Sequence, residues 1–151
     1  MSPPPRRESA VIVIHSLAQA VAALSAAAEA GRPIVIASAA DAGIYAGPGW
    51  FREALHGAHE AVPMAQFSSL FDCGDDAGAA MAALRAGLEA IVFTGPAEVA
   101  ARLNDILAPA GARLITERPA AVLDLGVWFF ADNESLRRRC ADALASIAAF
   151  C

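Results

Sequence analysis

Short β-branched runs alternate along the chain with alanine-rich stretches whose apolar residues recur at helical spacing. AVIVIH (10–15) leads into a helix expected from Ser16 to Ala30. PIVIAS (33–38) leads through a glycine-rich loop to a helix from about Gly49 to Ala61. AQFSSLFDC (65–73) precedes a helix near 76–87, EAIVFTG (89–95) one at 97–108, and ARLITE (112–117) forms a fifth strand. Strands separated by helices of this length require right-handed crossovers, and so a parallel sheet. The expected fold is α/β, a Rossmann-like three-layer sandwich around a five-stranded, mainly parallel sheet. Gly31, Gly87 and Gly111 fall where helices should stop.

Polarity offers a guide to strand order, because a parallel strand buried on both faces reads as a continuous apolar run. VIVI, IVIA and AIVF are continuous, whereas FSSLF and ARLITE alternate. The third and fifth strands therefore belong at the edges, which favours the order 3-2-1-4-5.

The end of the chain departs from this rhythm. AAVLDLGVWFFADN places Trp128, Phe129 and Phe130 in a row, ahead of a helix from Glu134 to Phe150 that Asn133 is placed to cap. An additional C-terminal strand and helix are thus expected. Three adjacent large aromatics either lie on a strand covered on both faces or pack on a second copy of the chain. Residues 1–9, with three successive prolines and two arginines, read as a disordered or extended tail before one α/β domain over 10–151. The arginine pair and the apolar stretch after it superficially suggest an export signal, but His15, Ser16 and Gln19 interrupt the stretch.

Composition narrows the chemistry. All 11 basic residues are arginine, so no Schiff base, pyridoxal anchor or Walker-type phosphate loop can be built from this sequence. The formal net charge of -5 argues against nucleic acid and anionic lipid as partners. Arg137–Arg139 reads as a solvated helix face or subunit salt bridges ahead of an anion site. Cys73, Cys140 and Cys151 form no C-x-x-C pair and leave one thiol unpaired, which fits a reducing, cytoplasmic compartment. No segment is apolar for long enough to span a bilayer.

In open parallel sheets ligands bind beyond the carboxyl ends of the strands, where helix N-termini and free amides converge. Polar residues concentrate at those junctions: His15-Ser16, Ser38 to Asp41, Asp72 to Asp76, Thr94-Gly95 and Thr116 to Arg118. The loop SAADAGIYAGPGWF (38–51) adds Tyr45, Gly47, Gly49 and Trp50, which provide flat contact area and a backbone that can approach a ligand closely. A lid or a subunit contact explains that loop equally well. In FDCGDD, Asp75 or Asp76 caps the next helix. The remaining carboxylates mark either a solvated turn or a functional corner, with Asp72 and Asp75 as acid-base or cation-binding groups and Cys73 beside them. His15, the histidine at a strand's carboxyl end, is the partner a nucleophilic Cys73 would need, although the preferred order sets them two strands apart. His56 and His59 share a helix face, but two ligands without a third make no metal site.

AAMAALRAGLEAIVFTGP (79–96) resembles a β-α-β segment of phosphate-binding (β/α) barrel enzymes, including the aldolases that join pyruvate to an aldehyde. The Schiff-base lysine of those aldolases has no counterpart here, and five units fall short of an eight-fold barrel. Two functional expectations follow from the whole sequence. One is binding, with or without turnover, of a small polar or anionic metabolite at the carboxyl ends of the strands, through His15, Ser38, Asp41, Tyr45, Gly47, Gly49, Trp50, Thr94 and Gly95. The other is a non-catalytic homodimeric module built on Trp128, Phe129 and Phe130. Neither the ligand nor any cofactor is legible.

Overall fold

A computed structural model of the chain describes residues 9–148. Residues 1–8 of the expected tail (1–9), the end of the last helix at Phe150 and Cys151 lie outside the described residues. The fold is α/β. Six parallel strands, β1 (Ala10–Val13), β2 (Ile34–Ala37), β3 (Phe67–Asp72), β4 (Ala90–Val92), β5 (Arg113–Ile115) and β6 (Leu123–Asp124), form one sheet in the order β5-β4-β3-β2-β1-β6. The helices are α1 (Leu17–Ala30), the short α2 (Ala42–Tyr45), α3 (Pro48–Ala61), α4 (Ala77–Arg85), α5 (Ala97–Leu107) and α6 (Asn133–Ala148). Ser16 caps α1 with its side-chain oxygen, and Gly31 ends that helix at φ 63°. Asp132 caps α6 by accepting from Ser135 N, a role the sequence had given to Asn133, which instead opens the helix.

The order 3-2-1-4-5 is therefore corrected to a sequential winding. Each right-handed crossover that steps in the same direction drops its helix on the same face, so β1 to β5, wound without a reversal, build two layers rather than three. The core shows this division. Ile12, Ile14, Ile34, Ile36, Phe71, Ile91 and Phe93 pack with the helices, whereas Val11, Val13, Ala37, Leu70, Ala90 and Val92 form a second cluster whose remaining members, Val35, Ala39 and Ile115, come from strands and a loop. Sequential parallel strands with helices on one side are wound as a section of a (β/α) barrel is. The polarity rule misplaced β3 because it presumes helices on both faces. On a helix-free face, a central strand can carry Ser68 exposed to solvent.

Segment 116–122 leaves β5 at one edge and reaches β6 at the opposite edge. An extended segment of that length reaches about 27 Å, against about 24 Å across a flat sheet of this many strands. With so little slack it crosses from edge to edge by a direct path, and Val122 N donates to Val11 O at 2.9 Å. The aromatic run does not lie on a strand, since β6 stops at Asp124 and Leu125–Trp128 form a 3-10 turn. Trp128 packs on the core beneath Arg139, whose Cζ sits 4.2 Å from the ring centroid, while Phe130 is 97% and Val127 82% exposed.

Candidate functional site

The carboxyl ends of β1, β2 and β3 carry three arrangements of polar side chains. At the end of β3 is Asp72, only 3% exposed. Its Oδ1 accepts from Gly74 N at 2.8 Å and Asp41 N at 3.1 Å, and its Oδ2 from Arg118 Nη1 at 2.8 Å. Arg118 Nη2 donates to Ser38 O at 2.7 Å, and Asp72 N donates to Ser38 Oγ at 2.9 Å. Gly74 turns the chain at φ 55°, and a methyl group there would collide with Asp41 Oδ1. The crowded corner is thus largely a clasp. Asp72 gathers donors from three segments and holds the crossing chain over the sheet, and Asp76 caps α4 by accepting from Ala79 N. Asp75 is exposed.

Cys73 does not sit as a nucleophile would. Its side chain is buried in the core, and burial first, then the charges of Asp72 and Asp76, push the thiol up to about 12. A thiol so raised carries almost no thiolate at neutral pH. His15 is engaged elsewhere.

At the end of β1, His15 Nε2 lies 2.7 Å from Asp124 Oδ1, a contact between residues far apart in sequence that the β1-β6 pairing creates. Burial alone would raise the Asp124 carboxyl, but hydrogen bonds from His15 and from Gly126 N, and the nearby charges of His15 and Arg118, hold it below its ordinary value. Beneath them Gln19 is fully buried. It accepts from His15 N at 2.7 Å and donates to Leu125 O at 2.9 Å, tying together the two segments that carry the pair.

Beside His15 opens a cleft of about 270 Å³ lined by Ile14, Ala39, Ala42, Tyr45, Ala46 and Trp50. Tyr45 is exposed, with its hydroxyl donating to Ala40 O at 2.9 Å, and Trp50 Nε1 is buried with no hydrogen-bond partner among the described residues. Gly47, at φ 74°, precedes α3, and Gly49 lies in its exposed first turn. The 38–51 loop therefore has the clasp on one side, through Ser38 and Asp41, and the cleft on the other.

The remaining residues singled out from the sequence are not part of this cleft. Gly95 lines a separate depression of about 420 Å³ between α5 and β5, with Thr116 and Asn104, and Thr94 N is bonded to Gly74 O. His56 and His59 line a cleft of about 300 Å³ at the amino end of the sheet with Arg52. His56 pairs with Glu60 at 3.2 Å and the His59 ring lies tilted against Phe67, centroids 5.9 Å apart. Among the described residues no group of three metal-ligating side chains comes together. Arg137 pairs with Glu29 and Glu134, and Arg138 lies 3.8 Å from Glu134, so the arginine run serves helix contacts. No helix among the described residues is long and apolar enough to cross a membrane.

Sequence reasoning missed Asp124 and the clasp role of Arg118. Both act through neighbours brought close by the crossing segment, which nothing in local pattern announces.

No protein-family model matches the chain, and no curated protein matches it. Among solved structures it is similar to one described as a probable tagatose 6 phosphate kinase from Sinorhizobium meliloti 1021. The identity is 16% and the TM-score 0.57, over 95% of this chain and 47% of the other. The chain thus spans about half the length of that neighbour, and at this identity the likeness is one of fold.

Proposed function

We propose that the protein binds a small polar metabolite, neutral or anionic, in the cleft beside His15. The observation that carries this reading is the convergence, at the carboxyl ends of β1 and β2, of His15, Tyr45 and Trp50 around about 270 Å³ of open space. Volumes of about 300–1,000 Å³ are usual for small-molecule sites, so a ligand here is of monosaccharide rather than dinucleotide size. Two aromatic faces and an imidazole among alanines suit a hydroxyl-bearing molecule. The structural neighbour, described as a probable tagatose 6 phosphate kinase, is consistent with that class. Gly49, at the uncapped start of α3, lies where a backbone amide can meet an anionic substituent, while Gly47 N is bonded to Ala42 O at 3.1 Å. Ser38, Asp41, Asp72 and Arg118 serve as the floor that fixes the loop. Turnover, if the site supports it, falls to groups on this rim rather than to the buried Cys73.

The test is a thermal-shift and calorimetric screen of free sugars, sugar monophosphates, hydroxycarboxylates and inorganic phosphate, with wild type and Tyr45→Ala. Tyr45 is exposed, so the variant should melt as wild type does yet lose the ligand-induced shift. A shift that survives Tyr45→Ala unchanged places the ligand elsewhere, and no shift with any compound removes the reading.

A second reading has its own observation. Val127, Phe129 and Phe130 project from the turn beside β6, an exposed apolar cluster of the kind that marks subunit contacts. We read it as a homodimer contact of a cytoplasmic protein, with Trp128 behind it as packing support.

A further inference from the structure

We infer that His15 and Asp124 form a preset hydrogen-bond-accepting pair, in which Asp124 fixes the imidazole so that Nδ1 receives a hydroxyl of the ligand in the cleft. The inference deepens the metabolite-binding reading and rests on it.

The geometry assigns the two ring nitrogens different duties. Nε2 faces Asp124 Oδ1 at 2.7 Å, and a neutral imidazole that donates from Nε2 keeps its lone pair on Nδ1. Among the described residues Nδ1 has no hydrogen-bond partner, while the His15 side chain lines the cleft. Asp124 is suited to accept, because Oδ1 is itself held by Gly126 N at 2.9 Å. Gly126 keeps the pair close: a β-carbon at that position would stand 3.0 Å from His15 Nε2 and 3.1 Å from Asp124 Oδ1, so the two side chains would have to give by a few tenths of an ångström.

The support beneath the pair is as specific as the pair itself. A fully buried glutamine needs partners for both ends of its amide. Gln19 finds them in the backbones of His15 and Leu125, one on each segment that supplies the pair. A carboxylate that orients a histidine, with that histidine's backbone tied down, is the arrangement by which proteins select one imidazole tautomer. The ligand group it selects is a donor, and Tyr45 and Trp50 beside it offer faces for the C–H side of a sugar-like ring. The class is therefore a polyhydroxylated molecule of monosaccharide size that presents one O–H to Nδ1. In this scheme Asp124 is a positioning residue and His15 the group that touches the ligand.

The test reads the tautomer directly. In 15N-labelled protein at pH 8, long-range proton-nitrogen correlation should show His15 protonated on Nε2, with Nδ1 at a pyridine-like shift. Asp124→Asn should shift the population towards the Nδ1-protonated form, and Gln19→Ala should broaden or split the resonance. The same spectra are then recorded with each sugar and sugar monophosphate from the screen. A compound that stabilises the protein should move the Nδ1 resonance, and Asp124→Asn should weaken its binding at least fivefold. If His15 is Nδ1-protonated in wild type, the inference fails whatever binds. If a compound binds in the cleft and leaves Nδ1 unmoved, the inference fails while the cleft reading stands. If no compound binds, both fall together.

Discussion

Replacing Arg118 with alanine tests whether the clasp at Asp72 holds the crossing chain over the sheet. The guanidinium makes two hydrogen bonds, 2.8 Å to Asp72 Oδ2 and 2.7 Å to Ser38 O, which anchor segment 116–122 to β3 and β2. Charge-assisted bonds of this kind contribute about 1.5–3 kcal/mol each, and removing one member of a fully buried ion pair costs about 3–5 kcal/mol. Two facts lower the expectation. The Arg118 side chain is 26% exposed, so water reaches the gap, and Asp72 keeps its two backbone donors, Gly74 N and Asp41 N. The expected loss is about 2–4 kcal/mol, a sizeable share of the ~5–15 kcal/mol that holds a domain folded. For a chain of this length it lowers Tm by about 6–12 °C. Urea unfolding of wild type, Arg118→Ala, Asp72→Asn and the double variant should show a shifted midpoint with little change in slope, and the two substitutions should couple by more than about 1 kcal/mol. A loss below about 0.5 kcal/mol with additive effects is the behaviour of a solvent-exposed pair and would refute the clasp.

Three further outcomes follow from geometry already described. Gly74→Ala sets a β-carbon against Asp41 Oδ1 at a positive φ and should cost about 1–3 kcal/mol, whereas Gly49→Ala, with nothing within 4 Å of its β-carbon, should be nearly neutral, as paired melts will show. The buried thiols Cys73 and Cys140, raised to about 12 and about 11, keep their protons in the folded protein. Their contribution is complete below the unfolded thiol value of about 8.5 and is lost above it. Stability should fall by about 2.7 kcal/mol per pH unit towards pH 11, and Cys73→Ala should halve that slope in urea titrations. If the exposed aromatic cluster joins two copies, Phe130→Ser should convert a dimer to a monomer in sedimentation at micromolar concentration without lowering the monomer's far-ultraviolet helical signal. A monomeric wild type ends that reading.

Element identity was legible because it is local. The β-branched runs and the 3.6-residue periodicity placed the strands and main helices to within a few residues, although Ser16, taken as the first residue of its helix, proves to be its cap. Order was not legible, since it depends on which face each helix takes. Ser68 looked like an edge residue because solvent reaches a helix-free face, not because β3 lies at an edge. The candidate site divided the same way. His15, Tyr45 and Trp50, named from two successive strand ends, line one cleft. Asp72 was singled out for its charge, yet its partner Arg118 lies across the sheet, and the charge alone could not distinguish a clasp from a reactive group. Asp124 was invisible because its meaning depends on pairing between β1 and β6, which no local pattern records.

That pairing has a consequence for how the chain acquires its shape. From β1 to β5 every new strand adds beside its immediate predecessor, so growth of the sheet needs only nearby loops to close. The return to β1 is different: Val122 must find Val11 after everything between them has been laid down. Closing so long a loop is entropically the most demanding pairing in the chain. The run of βα units should therefore assemble first and be fastened last, and a ligand seated at His15, beside Asp124, would report whether the fastening has occurred.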